Sequence, residues 1–404
     1  MIRKVHIQGF KSVLDAEIEL GQINVFVGPN GVGKTNLLEA VGFLSAAVSG
    51  FVDAASVGRR GVRWGSPSHY KPFLQGVQFS NPIVLEVSAG NGSREVVYRA
   101  ELDNPMKKPL PSWQYITESL WVADNLVMER RGNQLRIGQD WEAGNPRPEQ
   151  GYARLAYYLL PDEGANDLES LQDFAIFAPQ TPVLRGIAND PMPVSPLGLS
   201  GGGFAEFIKS LLESPQGEGK KVVHYLREMV DWVENIEVVH PTKALIPPAL
   251  PTTRYVIVFT DKRGVSRRNQ VTAYDASEGV LYALFALALA LHPALPLFLA
   301  VDNFGCEMHP WLVRKLMNVF CDLLLRESPH RQVILTTHCP VALDGLPLQD
   351  PRVRLFAIES DLIGATTVRP IVATEEARAL REEHGLVLSD LWVQGWLGAV
   401  PESF

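Results

Sequence analysis

The sequence predicts an α/β fold with a mixed β-sheet core, an N-terminal antiparallel β subdomain and a helical lobe. Three observations predict it. The apolar run Ile23-Asn24-Val25-Phe26-Val27 passes through a glycine-rich stretch into Asn36-Leu37-Leu38-Glu39-Ala40-Val41, so strand, loop and helix follow in succession. In the N-terminal part, short stretches alternate apolar and polar residues with period two, the pattern of half-buried strands. From residue 280 onward, apolar strands alternate with helical patterns, as in a parallel or mixed sheet covered by helices.

The elements follow in chain order. Ile2, Val5 and Ile7 alternate with charged neighbours, Glu17 to Leu20 alternates again, and the turn Gly9-Phe10-Lys11-Ser12 makes the two an antiparallel hairpin. The helix after the glycine-rich stretch is expected to run to about Ala47. Residues 50–82, rich in Gly, Ser, Arg and aromatics, read as loop. Pro82 to Glu101 reads as two strands around Gly90-Asn91-Gly92. Residues 103–150 mix short strand patterns with Pro, Asn and Gly and carry no diagnostic motif. From Gly164 to Pro241 the signals are helical, with apolar residues at helical intervals in Phe204–Leu212 and Val222–Val233. Arg254–Phe259 and Asn269–Tyr274 read as strands around Asp261-Lys262-Arg263-Gly264. Gly279–Leu291 reads as a buried helix and Leu297–Val301 as a buried parallel strand. The helix Trp311–Leu325 and the strands Val333–Thr336 and Val353–Ile358 complete the series. The expected division is an N-terminal lobe over 1–150, a mainly helical insertion over 151–250, and a C-terminal part over 251–404 that completes the head.

Composition narrows the function. A chain of 404 residues with 46% apolar content supplies a core for two or three domains. A formal net charge of −8 argues against a surface coated with cations for nucleic acid, and leaves a local basic groove open. Cys306, Cys321 and Cys339 lack metal-ligand spacing and read as reduced thiols. The chain opens without an apolar export signal, so a cytoplasmic location is expected. Val280 to Val301 is long enough and apolar enough to cross a bilayer, but His292, Pro293 and Pro296 interrupt it and Asp302 follows. Helix, turn and strand is the expected reading, with no membrane partner.

Gly28-Pro29-Asn30-Gly31-Val32-Gly33-Lys34-Thr35 matches G-x-x-x-x-G-K-[ST] in the strand–loop–helix context of a phosphate-binding loop. Asn30, Gly31, Gly33 and Asn36 line the expected cradle for a nucleoside triphosphate, whose phosphates meet backbone N–H groups and the helix N-terminus. Lys34 is expected to reach the β- and γ-phosphates, and Thr35 to put its hydroxyl on Mg²⁺. The strand ending in Asp302 offers a carboxylate at a sheet edge, as a Mg²⁺ ligand through water or as a cap of the next turn. Ser277, Glu278 and Gly279 open the apolar helix and present a hydroxyl and bare amides to an anion, or serve as a simple N-cap. Leu199-Ser200-Gly201-Gly202-Gly203 competes with them for that role; helix-terminus logic favours Ser277. Val333-Ile334-Leu335-Thr336-Thr337-His338 reads as a strand ending in a histidine, where an imidazole senses a γ-phosphate and orients water, or is structural. Met308-His309-Pro310 reads equally as part of a subunit contact or as a helix start with proline in its first turn.

This order of motifs resembles the ATP-binding-cassette superfamily. The closer resemblance is to its RecF-, SMC- and OLD-like branch, through Gln8-Gly9-Phe10-Lys11-Ser12-Val13 with Gly28-Pro29-Asn30-Gly31, Ser277-Glu278-Gly279 and Leu335-Thr336-Thr337-His338-Cys339-Pro340. Leu388-Ser389-Asp390-Leu391-Trp392-Val393-Gln394-Gly395 is similar to single-headed members of prokaryotic defence and DNA-repair loci. The resemblance implies an ATPase with ATP and Mg²⁺, whose two heads pack head to tail so that Ser277 and Gly279 bind the γ-phosphate held by the partner's loop. Catalytic roles then fall to Lys34, Asp302, the residue after it and His338. The family places a glutamate after the strand aspartate as general base; here Asn303 stands there, and an amide takes no proton at pH 7. Slow hydrolysis and a long-lived ATP-bound dimer are expected, a switch more than a motor. Glu307 is a displaced base or a solvated helix-start residue, and Gln180 is one of several candidates for a glutamine ligand of Mg²⁺.

The partners expected from the resemblance are a second copy, a separate nuclease or toxin effector in antiphage defence, and DNA or RNA. The OLD-type nuclease domain is not expected, because too few residues follow Ile358 for one. The alternatives are a RecF-like repair or recombination ATPase without a toxic partner, and a transporter's ATPase subunit, which the Ser-Glu-Gly signature and the opening hairpin disfavour. Arg59-Arg60-Gly61-Val62-Arg63-Trp64, Arg130-Arg131 and Arg267-Arg268 are the basic runs that would touch nucleic acid, or are solvated faces.

Overall fold

The computed structural model describes residues 1–77, 81–90, 95–138, 140–142, 146–158, 166–241, 253–264, 269–306, 308–371 and 386–397. The hairpin β1 (Ile2–Phe10) and β2 (Val13–Glu19) turns on Lys11-Ser12, with Lys11 at φ 50°. The next strand, β3 (Ile23–Val27), leaves for another sheet. β4 (Ile83–Ala89), β5 (Val96–Asp103), β6 (Gln114–Val122), β7 (Asn125–Arg131), β8 (Gln134–Ile137) and β9 (Asp140–Glu142) extend the hairpin. They form an eight-stranded antiparallel sheet in the order β2-β1-β4-β5-β6-β7-β8-β9. Of the expected turn between β4 and β5, Asn91 and Gly92 lie outside the described residues.

The second sheet carries the chemistry. Its strands are β10 (Ala175–Phe177), β14 (Phe298–Val301), β15 (Gln332–Thr337), β3, β16 (Val353–Ser360) and β17 (Thr366–Ile371), in that spatial order. The first five are parallel and β17 is an antiparallel edge. A third sheet joins β11 (Val233–Val239), β12 (Val256–Asp261) and β13 (Gln270–Thr272). Strands from three distant stretches of chain therefore meet in the six-stranded sheet.

Period-two alternation divides that sheet between two cores. Phe26, Phe298, Ala300, Ile334 and Phe356 face the helix α1 (Lys34–Val48) and the eight-stranded sheet. Val25, Leu299, Val301, Val333 and Leu335 face the other way. There they meet α6 (Phe204–Leu212), α7 (Glu218–Met229), α8 (Glu278–Leu291) and α9 (Pro310–Arg326). The shorter helices are α2 (Ala54–Gly58), α3 (Ala153–Tyr158), α4 (Asn166–Gln172), α5 (Thr181–Leu184) and α10 (Leu388–Val393). α8 is apolar on every side and buried along almost its whole length, which is the signature of a core helix. The long apolar run of the sequence is thus this helix, a turn and β14; no helix among the described residues is long and apolar enough to cross a membrane.

Several expectations change. Residues 50–82, read as loop, contain α2 and a 3-10 turn over Pro67–Tyr70. The helical reading of residues 164–241 misses β10 and β11, and the expected helix over Val222–Val233 ends at Met229. Val230 has extended dihedrals (φ −127°, ψ 96°), and Val233 starts a strand paired with β12, so tertiary pairing overrides a local helical pattern there. Residues 103–150, unremarkable in sequence, provide four of the eight antiparallel strands.

Candidate functional site

In a parallel sheet the loops after the strands converge on one edge. Here they bring together residues 28–33 after β3, Ala178 to Gln180 after β10, Asp302 and Asn303 after β14, and His338 after β15. The loop after β3 needs its glycines. Gly33 has φ 102°, and a Cβ there would lie 1.9 Å from Thr366 Oγ1; one on Gly28 would lie 2.2 Å from the Ile358 carbonyl oxygen. A polar chain fastens the loop from outside. Thr366 Oγ1 donates to the Val32 carbonyl (2.8 Å) and sits 2.7 Å from Ser12 Oγ, which accepts from Asn36 Nδ2 at 2.7 Å. Lys34 is buried and donates to the carbonyls of Gly28 and Pro29, 2.7 Å each. Burial pulls its ammonium below the usual lysine range, against the attraction of Asp302 and Cys306.

Thr35 Oγ1 lies 3.0 Å from Asp302 Oδ2, so two residues far apart in sequence meet at the loop's mouth. Sequence reasoning missed Thr336. Its hydroxyl donates to Asp302 Oδ1 and accepts the Asn303 backbone N–H at 2.9 Å, fixing both residues after β14. A polar residue inside an apolar strand was the available signal. Asn303 is exposed and adopts φ 59°, a left-handed conformation that asparagine tolerates better than most side chains. His338 is exposed, with Nδ1 3.4 Å from Cys306 Sγ, a neighbour the sequence did not announce. Glu307 lies outside the described residues.

Beside the loop sits a buried ion-pair network. Glu39 on α1 is fully buried and receives Lys11 from the β1–β2 turn and Arg63 Nε at 2.7 Å. Burial alone would raise the Glu39 carboxyl, but Arg63 and Lys11 together hold it below the usual range. Arg63 Nη2 also donates to Asn36 Oδ1 at 3.0 Å.

The competing serine–glycine turns resolve on where their donors point. The amides of Ser200 and Gly202 both donate to Asp190 Oδ2 at 2.9 Å, and Gly198 N–H donates to the Gly202 carbonyl. That turn is closed on itself. Ser277 is the exposed N-cap of α8, yet its side chain makes no cap hydrogen bond with the helix it starts. Gly279 lies against Met308 and Leu312 at the start of α9, where His309 Nδ1 accepts the Trp311 N–H and Pro310 occupies the first turn. The Leu388–Gly395 stretch braces the segment after His338, because Ser389 N and Oγ both donate to the Asp344 carboxylate (2.9 and 2.8 Å).

Residues 23–344, most of the chain and nearly all of these positions, match the protein family described as "AAA domain, putative AbiEii toxin, Type IV TA system". The chain belongs to that family. Among curated proteins, this AAA-family chain is 35% identical over 101 residues to the DNA replication and repair protein RecF of Paenarthrobacter aurescens, 24% of each chain. It is 42% identical over 98 residues to RecF of Beutenbergia cavernae, 22% of this chain and 23% of that one. The matches span about a quarter of these relatives' length. Among solved structures, the Smc head domain from Pyrococcus furiosus, solved bound to the C-terminal domain of ScpA, aligns with a TM-score of 0.50 at 12% identity over 95% of this chain and 99% of that one. The SMC head domain from Thermotoga maritima aligns with 0.45 at 13% identity, over 92% and 99%. Family and fold indicate an ATPase, and the fold is that of the Smc head domain.

Two of the arginines in the basic runs are internal, whereas Arg59, Arg63 and Arg131 are exposed. Arg60 is buried, bonded to Ser45, Ser49, Ser56 and the Gln172 carbonyl, and burial brings it down to about 10. Arg130 is buried between Tyr115 and Tyr152 and donates to the Gln150 and Gly132 carbonyls. Arg131 pairs with Glu129, and Arg267-Arg268 lie outside the described residues.

Proposed function

We propose that this ATPase binds ATP in the 28–36 loop, pairs head to tail with a second copy, and acts as a slowly hydrolysing switch. The residues fit the nucleotide. A loop with no room for a Cβ at Gly33, opening onto a helix N-terminus, suits an anion. Lys34 rests on neutral carbonyl oxygens that a phosphate would replace as the stronger acceptor. Thr35 and Asp302, already in contact, are the oxygen donors that Mg²⁺ prefers, and Gln180 reaches the same sheet edge. The ion, when bound, supplies neutralisation of phosphate charge. Asn303 orients water without taking its proton, and His338 faces the γ-phosphate as the sensing group.

One observation carries the dimer: the Ser277 carbonyl accepts the Val280 and Leu281 N–H groups, but its side chain makes no cap hydrogen bond to α8, which leaves its hydroxyl and the amides before Val280 for a ligand. In the proposed sandwich that ligand is the γ-phosphate on the second copy's loop, and a ligand bridging two copies favours their association.

The setting we propose is a nucleic-acid-linked system, antiphage defence with a separate nuclease or toxin as effector. Support comes from the family's description, which names a toxin, and from RecF relatives named for DNA replication and repair. A RecF-like repair ATPase without a toxic partner is the second reading. Trp64, 64% exposed and next to Arg63, favours it as a stacking surface for bases. Co-purification with the products of neighbouring genes in Mg·ATP and in Mg·ADP tests both. Defence predicts an effector held in an ATP-dependent complex. ATP-stimulated DNA binding by the protein alone, falling steeply with salt, would support the repair reading instead.

A further inference from the structure

We propose that Arg185 is a positioning residue that couples the segment after β10 to Ser277, so that the trans serine is set only when the cis metal edge is set. The inference rests on the sandwich reading above. Arg185 directly follows α5, and its Nη2 donates to the Ala276 carbonyl at 2.9 Å. Ala276 is buried and immediately precedes the N-cap Ser277. Arg185 thereby grips the last peptide before the signature helix.

The grip is unfavourable in isolation. Arg185 Nε is buried and meets no hydrogen-bond acceptor among the described residues. A buried unsatisfied donor is destabilising, and a cation beside a helix N-terminus is repelled by the helix dipole. Both penalties fall at the start of α8, where the hydroxyl of Ser277 is also unengaged by its own helix. An arriving phosphate offsets the second: the field that repels the guanidinium attracts the anion, and the guanidinium adds to that field.

The other end of the segment reaches the metal edge. The Phe177 carbonyl accepts the Asp302 N–H at 2.8 Å, and Gln180 and α5 follow within a few residues. A second hydrogen bond runs alongside, from Tyr282 Oη on the first turns of α8 to the Pro179 carbonyl at 2.7 Å. Residues 177–185 therefore hold α8 at Tyr282, the peptide before its N-cap at Ala276, and the end of β14 at Asp302. A shift at Asp302 and Gln180 on nucleotide binding passes to Ser277 along this short path.

The test compares wild type with Arg185→Met, which keeps an apolar stem, and Arg185→Lys, which keeps the charge. Three readouts are taken: thermal stability, fluorescent-nucleotide affinity at concentrations where the chain is monomeric, and Mg·ATP-dependent dimerisation by sedimentation velocity. Arg185→Met is expected to fold, to bind nucleotide as a monomer like wild type, and to dimerise at least about tenfold more weakly, from loss of a charge-assisted hydrogen bond. Arg185→Lys recovers part of that loss. Wild-type dimerisation by Arg185→Met, or an equal loss in monomer affinity, would overturn the inference and leave the sandwich standing. A wild-type chain that stays monomeric in saturating Mg·ATP would remove both.

Discussion

The phosphate loop and the start of α8 differ in what their polar groups do before any ligand arrives. Around residues 28–36 the side chains of Lys34, Thr35 and Asn36 are engaged within the chain, with the loop carbonyls, Asp302 and Ser12, and Thr366 fastens the loop at Val32. At residue 277 the N-cap serine leaves its own helix uncapped. The turn at 199–203, which looks more like a signature in sequence, belongs with the first group because Asp190 engages its amides. The contrast is that the cradle's side chains are held by their own chain, whereas at the surface that we propose a second copy completes, the serine side chain makes no bond to its own helix. Composition does not separate the two, since both are rich in glycine and serine; hydrogen-bond direction does.

Breaking the cradle gives the largest expected effect. Lys34→Ala removes the charged donor to the phosphates and is expected to weaken nucleotide affinity by about a hundredfold or more, measured by fluorescent-nucleotide titration. Breaking the outward surface is next. Ser277→Arg is expected to leave monomer affinity near wild type while weakening ATP-dependent dimerisation by tenfold to a hundredfold, roughly one lost charge-assisted hydrogen bond plus steric exclusion. Equal losses in both assays would erase the distinction between the two regions.

The closed turn should respond in stability alone. Asp190→Ala orphans the amides of Ser200, Gly202 and Met192, and is expected to cost about 1–3 kcal/mol by denaturant titration with ATP-dependent dimerisation intact. Asn303→Glu sharpens the switch reading. A restored general base is expected to raise turnover by about tenfold, below the usual hundredfold or more of such effects, because the left-handed backbone at φ 59° disfavours glutamate. Unchanged turnover would mean that the base is not what limits hydrolysis.

The smallest effect concerns a closed network far from the loop. Glu118 is buried, accepts the N–H groups of Tyr152 (2.9 Å) and Ala153 (3.1 Å), and receives the Tyr98 hydroxyl at 3.1 Å. Burial nevertheless raises its carboxyl to about 7. The folded chain then holds this proton over a range where the unfolded chain has released it. Stability from this group is present at acid pH and declines as pH rises from the ordinary carboxylate range through 7. Melting temperatures at pH 5.5 and 7.5 should show that decline in wild type, and Glu118→Gln should flatten it.

Much of this was legible because it is local. The glycine spacing around Lys34, the carboxylate ending an apolar strand at Asp302 and the histidine ending another at His338 each carry their context in a few neighbouring residues. The helix start at Ser277 was legible for the same reason. What the sequence hid was long-range. Thr336 fixes Asp302 and Asn303 across two strands, and Lys11 and Arg63 reach Glu39 from separate loops. Period-two alternation tells which face a residue takes but not which strand lies beside it, so the eight- and six-stranded sheets could not be separated beforehand. β10 is three residues long and lacks any pattern of its own. Arg60 and Arg130 read as surface cations because burial of an arginine depends on partners that sequence does not display.

Mixing two inactive variants tests the trans site most directly. Lys34→Ala keeps Ser277 but lacks a working cradle, and Ser277→Arg keeps the cradle but lacks the serine. ATP hydrolysis is measured for each alone and for the mixture. The account predicts little activity from either and partial recovery in the mixture, since a mixed pair holds one complete cradle-and-serine site. Mixed pairs that form yet recover nothing, or full activity from Ser277→Arg alone, would contradict it.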